Sequence, residues 1–269
     1  MNISAQAIHF SYPSGVIALR GISLQILSGE KVAIIGQNGS GKTTLVKHLN
    51  GLLKPSSGSV LIGDWDTRDV PVNRLAARVG YVFQNPDDQL FQSKVWAEVA
   101  FGPKNLGWKP ARIEQRVALA IEMVDLKNAV QLHPYDLSTG ERKRVALASV
   151  LAMDTPIVVL DEPTTGEDYR GSLQIGQIVN TLHAQGKTVI TITHDIDFCA
   201  EYFDRVIVML DGQTLLDGPT REVLSQADLL AETFVEPPQL IRLADRLALE
   251  GSPLNVAEFT DSLLLEMNR

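Results

Sequence analysis

From Gly36 to Thr43 the chain reads GQNGSGKT, directly after the apolar run VAII and directly before TLVKHL. This G-x-x-x-x-G-K-[ST] spacing between a strand-like and a helix-like segment narrows the possible folds more than any other stretch. Glycines let backbone N–H groups turn inward around phosphate oxygens, where a Cβ would collide. Lys42 supplies a cation for the β- and γ-phosphates, and the Thr43 hydroxyl is a hard ligand suited to Mg²⁺. A helix opening at Lys42 adds the positive end of its dipole. The implied ligand is a nucleoside triphosphate, cradled by Gly36, Gln37, Asn38, Gly39, Ser40, Gly41, Lys42, Thr43 and Thr44.

Four short runs read as strands covered on both faces: Val32 to Ile35, Ile157 to Leu160, Val189 to Thr193 and Val206 to Leu210. They are β-branched and lack alternation, and helical patterns separate them, which predicts an α/β unit with a mostly parallel core sheet. Alternation at Ile22-Leu24-Ile26 and at Ser59 to Ile62 predicts half-exposed antiparallel strands beside it. Between about residues 86 and 153 strand signals vanish. RIEQRVALAIEMVDL instead spaces Ile113, Val117, Ala120, Ile121 and Val124 as a helix does, so a helical subdomain is expected as an insertion. Beyond Gly218-Pro219 the composition shifts, with nine acidic and four basic side chains over 219–269. The expected division is a nucleotide-binding domain over 1–218 and a C-terminal helical extension over 219–269, broken at Pro237-Pro238 and Gly251-Ser252-Pro253.

The formal net charge of −8 argues against wholesale binding to a nucleic-acid backbone, which needs a basic face. The single cysteine, Cys199, lies in an apolar helical stretch, so neither a disulfide framework nor zinc spacing is available. The opening MNISAQAIHFSYPSG has no basic start and no apolar run, and no secretory leader is expected. No stretch approaches the ~18 apolar residues that cross a bilayer.

Three more motifs bear on chemistry. IVVLDEPTTG puts Asp161 and Glu162 at the end of a buried strand, where an Asp can hold a Mg²⁺ shell and a Glu can deprotonate or orient the attacking water. TVITITHD places His194 just past the next strand, on the side where doubly wound sheets bind ligands, as a contact for the third phosphate. LSTGERKRVALASVLAM begins with Ser138 and Gly140 and runs into a strong helix, giving a second helix N-terminus suited to an anion.

Taken in order, Tyr12, the phosphate loop, Gln84 in YVFQNPDDQLF, LSTGE, LDEP and His194 resemble the ATP-binding cassette (ABC) family over nearly the whole chain. The resemblance implies the P-loop NTPase fold of an ABC ATPase, with an antiparallel β subdomain and an inserted helical subdomain. It also implies ATP and Mg²⁺ as cofactors and a head-to-tail pair in which the signature of one subunit covers the ATP of the other. Carried over, Ser138, Gly140 and Glu141 meet the partner's γ-phosphate, Asp168 lies at the seam, and Tyr12 stacks on adenine. Gln84 sits near Mg²⁺ and reports nucleotide state to a membrane partner. The chain departs from the family where LSGGQ is usual, having Thr139 and Glu141, and where Glu167 precedes Asp168 in place of an apolar residue.

VFQNPDDQLF followed by VAFGPKNLG resembles, more narrowly, the ATPases of energy-coupling factor (ECF) transporters, including the cobalt and nickel uptake type. That likeness implies a peripheral protein on the cytoplasmic face of the membrane that drives uptake of a vitamin or a transition-metal ion. Its partners would be a second ABC ATPase, identical or related, a transmembrane coupling subunit and a substrate-binding membrane subunit. Asp87 and Asp88 are candidates for meeting a basic helix of the coupling subunit. Leu229, Leu230, Leu240 and Leu243 are candidates for packing against a twin or capping the chain's own domain. Alternatives are the ATPase of another importer class, a soluble ABC protein acting on nucleic acid or ribosomes, and a catalytically dead cassette. The second lacks the fused cassettes or coiled coil it needs, and the third conflicts with the presence of Lys42, Asp161, Glu162 and His194.

Overall fold

The computed structural model describes residues 1–267, and two sheets organise it. Strands β1 (Ile3–Ser11), β2 (Ile17–Ile26), β4 (Ser57–Ile62) and β5 (Trp65–Asp66) form an antiparallel sheet in the order β2-β1-β4-β5. The second sheet is built from β3 (Lys31–Ile35), β6 (Val79–Val82), β7 (Ile157–Asp161), β8 (Thr188–Ile192), β9 (Arg205–Leu210) and β10 (Gln213–Pro219), in the order β10-β9-β3-β8-β7-β6. All its pairings are parallel except β10 on β9. The four expected buried runs are four of its five parallel strands. The fifth, β6, carries only four residues around Gly80, where a Cβ would sit 2.5 Å from Val150.

Alternate residues of the parallel strands feed separate cores on the two faces. One face packs Val32, Ile34, Val159, Ile190 and Ile207 with α1 (Lys42–Leu49) against the inner side of the antiparallel sheet. A one-turn helix, α2 (Val72–Leu75), adds Leu75 to that layer. The other face packs Ala33, Ile35, Val158 and Leu160 against helices.

The stretch between β6 and β7 holds α3 (Val95–Asn105), α4 (Pro110–Met123) and α5 (Thr139–Ala152). Ile113, Val117, Ala120 and Ile121 are the buried positions of α4, as their spacing requires, and Pro110 fits its first turn. Two further helices connect strands of the sheet: α6 (Tyr169–Ala184), between β7 and β8, and α7 (Ile196–Tyr202), between β8 and β9, which buries Cys199 completely. Burial above all, with the charges of Asp195, Glu162 and Asp197 adding to it, holds that thiol far above its ordinary range, so it is an inert core group.

The C-terminal segment folds as α8 (Thr220–Leu224), α9 (Ala227–Glu232), α10 (Gln239–Arg246) and α11 (Val256–Met267). Pro237-Pro238 directly precedes α10, and Gly251-Ser252-Pro253 falls between α10 and α11. Leu230 caps the chain's own core, Leu229 and Leu240 are half-buried, and Leu243 is exposed. No residue of α11 is buried; an Arg221–Glu258 ion pair of 2.9 Å ties it to α8. Among the described residues no helix is long and apolar enough to cross a membrane.

Candidate functional site

The turn between β3 and α1 is shaped by backbone crowding. Gly36 has φ 139°, and a Cβ there would lie 2.2 Å from the Met209 carbonyl oxygen. Gly41, the residue before α1, has φ 101° and would meet the Ala18 carbonyl oxygen at 2.6 Å. Only glycine fits either place. No side chain caps α1, so its first N–H groups face outward without a side-chain acceptor. Lys42 folds back over the loop and donates from Nζ to the carbonyl oxygens of Gly36 (2.7 Å) and Gln37 (2.9 Å). Burial lowers its pKa, and the carboxylates of Glu162 and Asp161 oppose that effect. A cation parked on two carbonyls beside empty N–H donors is a site arranged for an anion.

A cleft of about 260 Å³ opens above this loop, lined by Tyr12, Asn38, Gly39, Lys42, Thr43, Thr44, Gln84, Glu162 and His194 among others. The Tyr12 hydroxyl is 3.0 Å from the Thr44 hydroxyl, and its ring stands edge-on to Phe10 with 4.9 Å between centroids. Tyr12 is therefore a fixed wall of the cleft.

At the end of β7, Asp161 is buried, and its Oδ2 accepts a 2.6 Å hydrogen bond from the Tyr81 hydroxyl. Its Oδ1 is also buried and has no hydrogen-bond partner. Burial pushes the Asp161 carboxyl above its ordinary range, while the Tyr81 and Thr43 hydroxyls and the Lys47 and Lys42 cations oppose the rise. Tyr81 stays protonated, since burial and the adjacent Asp161 both push its pKa upward. An orphaned hard oxygen beside a threonine hydroxyl, at the edge of a phosphate-ready loop, fits Mg²⁺ held by one carboxylate, one hydroxyl and phosphate oxygens. A cage made wholly of protein ligands is absent among the described residues.

Glu162 adopts a left-handed backbone, φ 51°, fixed by its N–H donating to the Ile192 carbonyl at 2.8 Å. That conformation is costly for a side chain with a Cβ, and it aims the carboxylate into the cleft. Its Oε1 lies 3.1 Å from His194 Nε2, and its Oε2 accepts from the Thr165 hydroxyl at 3.2 Å.

Ser138, Gly140, Glu141 and Asp168 do not line the cleft. At the start of α5, Ser138 donates its N–H (2.9 Å) and its hydroxyl (2.7 Å) to Glu141 Oε2. Glu141 N–H donates back to Ser138 Oγ at 3.3 Å. This reciprocal cap closes the helix start on itself and holds the Glu141 carboxyl below its ordinary range. Thr139 and Gly140 have no left-handed backbone, so the Thr in place of glycine is accommodated. Asp168 caps α6, accepting from Gly171 N–H at 2.8 Å. Asp87 is 3.5 Å from Arg142 Nε, so one of the two acids expected to face a partner is engaged within the chain.

An apolar groove of about 250 Å³ runs beside the loop that follows Gln84, with Phe91 60% exposed at its rim and edge-on to Phe101 at 4.7 Å. Buried Glu98 holds this rim by accepting from the N–H groups of Phe91 (2.8 Å) and Gln92 (2.7 Å). Tyr81, Thr165 and Glu98 escaped the sequence reading. Tyr81 had a usable signal in the buried run VGYV two residues before Gln84; Thr165 and Glu98 make contacts within seven residues, but through turns that residue type alone does not specify.

A family model described as ABC transporter matches residues 19–165. The chain is 42% identical to the energy-coupling factor transporter ATP-binding protein EcfA of Methanothermobacter thermautotrophicus over 94% of its own length and 82% of that protein's. Two other curated relatives are longer proteins, of which this chain spans only 43% and 40% of the length. Among solved structures, cbiO1 from Clostridium perfringens, described as part of the ABC transporter complex cbiONQ, superposes with TM-score 0.76 at 34% identity. That match covers 92% of this chain and 98% of cbiO1. The ATP-binding cassette MJ0796, in a dimeric post-hydrolysis state bound to ADP and Pi, gives TM-score 0.75 at 28% identity, covering 81% of this chain and 99% of that one.

Proposed function

The chain belongs to the ABC transporter family as an ATP-hydrolysing cassette, and from that premise we propose that it is the ATPase subunit of an ECF-type importer. In this reading the N–H groups of Gly39 to Thr43 and the Lys42 ammonium bind the triphosphate, and Tyr12 walls the adenine. Asp161, Thr43 and Gln84 would hold Mg²⁺, which would supply charge neutralisation at the phosphates. Glu162 accepts a proton from water as the water oxygen attacks the γ-phosphorus, and the bond from that phosphorus to the β–γ bridging oxygen breaks, leaving ADP and phosphate. His194 holds the Glu162 carboxylate and faces the third phosphate.

The observation that carries this reading is the meeting of Glu162, His194 and Lys42 in one cleft, with Glu162 bound by His194 at 3.1 Å. Ser138, Gly140 and Asp168 lie outside that cleft, which supports a pair of cassettes in which each lends these residues to the other's ATP. The dimeric state described for MJ0796 supports the same assembly. The relatives named EcfA and cbiO1 support the ECF type, with a vitamin or transition-metal cargo selected by a separate membrane subunit. The groove rimmed by Phe91 and Phe101 supports docking of a coupling subunit, which would hold the cassette at the cytoplasmic face of the membrane.

Glu162→Gln is the test. Phosphate release should fall at least a hundredfold while ATP affinity stays within about threefold, since the amide keeps the shape and loses the base. Unchanged phosphate release would refute the assignment of Glu162.

A further inference from the structure

Glu162 is held by contacts from two directions, and the second has no role in the reading above. His194 reaches Oε1 from the loop after β8, and Thr165 reaches Oε2 from the turn that Glu162 itself begins. That turn is tight: Thr165 N–H points to the Glu162 carbonyl at 3.4 Å, and Glu167 N–H donates to the Thr164 carbonyl at 3.0 Å. It folds the Thr165 hydroxyl back onto the carboxylate. The Thr165 carbonyl in turn accepts a hydrogen bond from Lys143 Nζ, on the second turn of α5.

Lys143, Arg144 and Glu167 line a recess that backs onto Glu162 and Gln84. Desolvation there lowers the Lys143 pKa, and the charges of Glu167 and Glu162, which stabilise the ammonium, oppose that shift. Glu167, the acid just before Asp168, gives Lys143 a counter-charge at the foot of the turn. A continuous line of contacts thus runs from the signature helix through Lys143, the Thr165 carbonyl and the Thr165 hydroxyl to the carboxylate of Glu162.

We propose that Thr165 is a positioning residue for the Glu162 carboxylate, and that Lys143 makes that position depend on the placement of helix α5. With both oxygens tethered, the carboxylate cannot rotate about its last bond. Loss of one tether frees the rotation and spoils the alignment with water, which costs turnover rather than binding. A displacement of α5, such as a partner's ATP would impose by engaging Ser138, pulls on the turn through Lys143. The inference rests on Glu162 being the base.

The experiment is steady-state ATP hydrolysis by the full chain. Thr165→Val keeps the turn and removes the hydroxyl; kcat should fall about tenfold with KM for ATP within twofold. Thr165→Ser should restore at least half of the lost kcat. Lys143→Met should also lower kcat, and the Lys143→Met/Thr165→Val pair should be no worse than the poorer single variant within twofold, because both cut one line. A native kcat in Thr165→Val, a loss that serine does not repair, or losses that multiply in the double variant would each overturn the proposal. If Glu162→Gln is inactive while Thr165→Val is native, only the positioning role falls. If Glu162→Gln turns over normally, the base assignment falls and the positioning role with it.

Discussion

The molecule presents two helix N-termini suited to anions, and they differ in what already occupies them. At α1 no side chain caps the helix, Gly41 is the last residue before it, and Lys42 rests on carbonyls that a phosphate could displace it from. At α5 Ser138 and Glu141 satisfy each other, and the first turn carries its own negative charge. The physics of the helix end is the same in both. The first is left open and walled by a cleft; the second is closed and exposed, and becomes a phosphate site only if something displaces the Ser138–Glu141 bond. Under the proposed pairing, a cassette built this way would bind ATP alone and complete its site only against a partner.

The strongest way to break that contrast is to add a methyl group to each turn. Gly41→Ala forces a Cβ to 2.6 Å from the Ala18 carbonyl oxygen in a left-handed conformation, and should cost roughly 2–4 kcal/mol and abolish ATP binding. Gly140→Ala places its Cβ no closer than 3.6 Å to Glu167 and has no left-handed φ to strain. Thermal melts should separate the two variants by on the order of 10 °C. Equal melting temperatures would mean that the α1 turn is not the rigid element described.

Next in size is Lys42→Met, expected to weaken ATP binding by on the order of a hundredfold by calorimetric titration, with little change in melting temperature. The amine gives up only two hydrogen bonds to backbone carbonyls.

Asp161→Asn sharpens the same contrast from the stability side. Because burial raises the carboxyl pKa in the folded chain above its unfolded value, its stabilising contribution is full below the unfolded pKa and is lost as pH rises through the folded one. Near pH 8, without nucleotide, the asparagine variant should therefore be more stable than the parent by about 1 kcal/mol and inactive in hydrolysis. The gain should disappear in acid. A destabilised variant at pH 8 would show that the orphaned Asp161 oxygen is not a cost to the fold.

The smallest effect is expected at Glu141→Gln. Glutamine can keep the cap, so melting should barely move, while loss of the charge beside Ser138 should lower the ATP concentration needed for pairing by about threefold to tenfold. A higher requirement would mean that the carboxylate aids the incoming phosphate.

Legibility in the sequence followed burial. The runs at β3, β7, β8 and β9 are apolar on both faces, so they stand out without alternation. β1, with Gln6 and His9 exposed and an irregular register at Ala7, carries no such signal, and β10 is half-exposed throughout. Around the cleft, the phosphate loop, Asp161, Glu162 and His194 are legible because each ends or follows a readable strand. The bonds that finish the arrangement could not: Tyr81 and Asp161 are 80 residues apart, and Lys143 and Thr165 are 22 apart on different elements. Such contacts depend on how layers stack, which local pattern does not encode. The Asp87–Asp88 pair shows the same limit, since only packing reveals that Arg142 already holds Asp87.

The most direct measurement is the light-scattering mass of the hydrolysis-deficient Glu162→Gln chain with and without Mg·ATP. A single chain is 29.4 kDa; the open site at α1 and the closed one at α5 together predict a mass that doubles when ATP is present and returns when it is washed out. A chain that binds ATP with full affinity yet keeps the single-chain mass would contradict pairing between two copies of this chain.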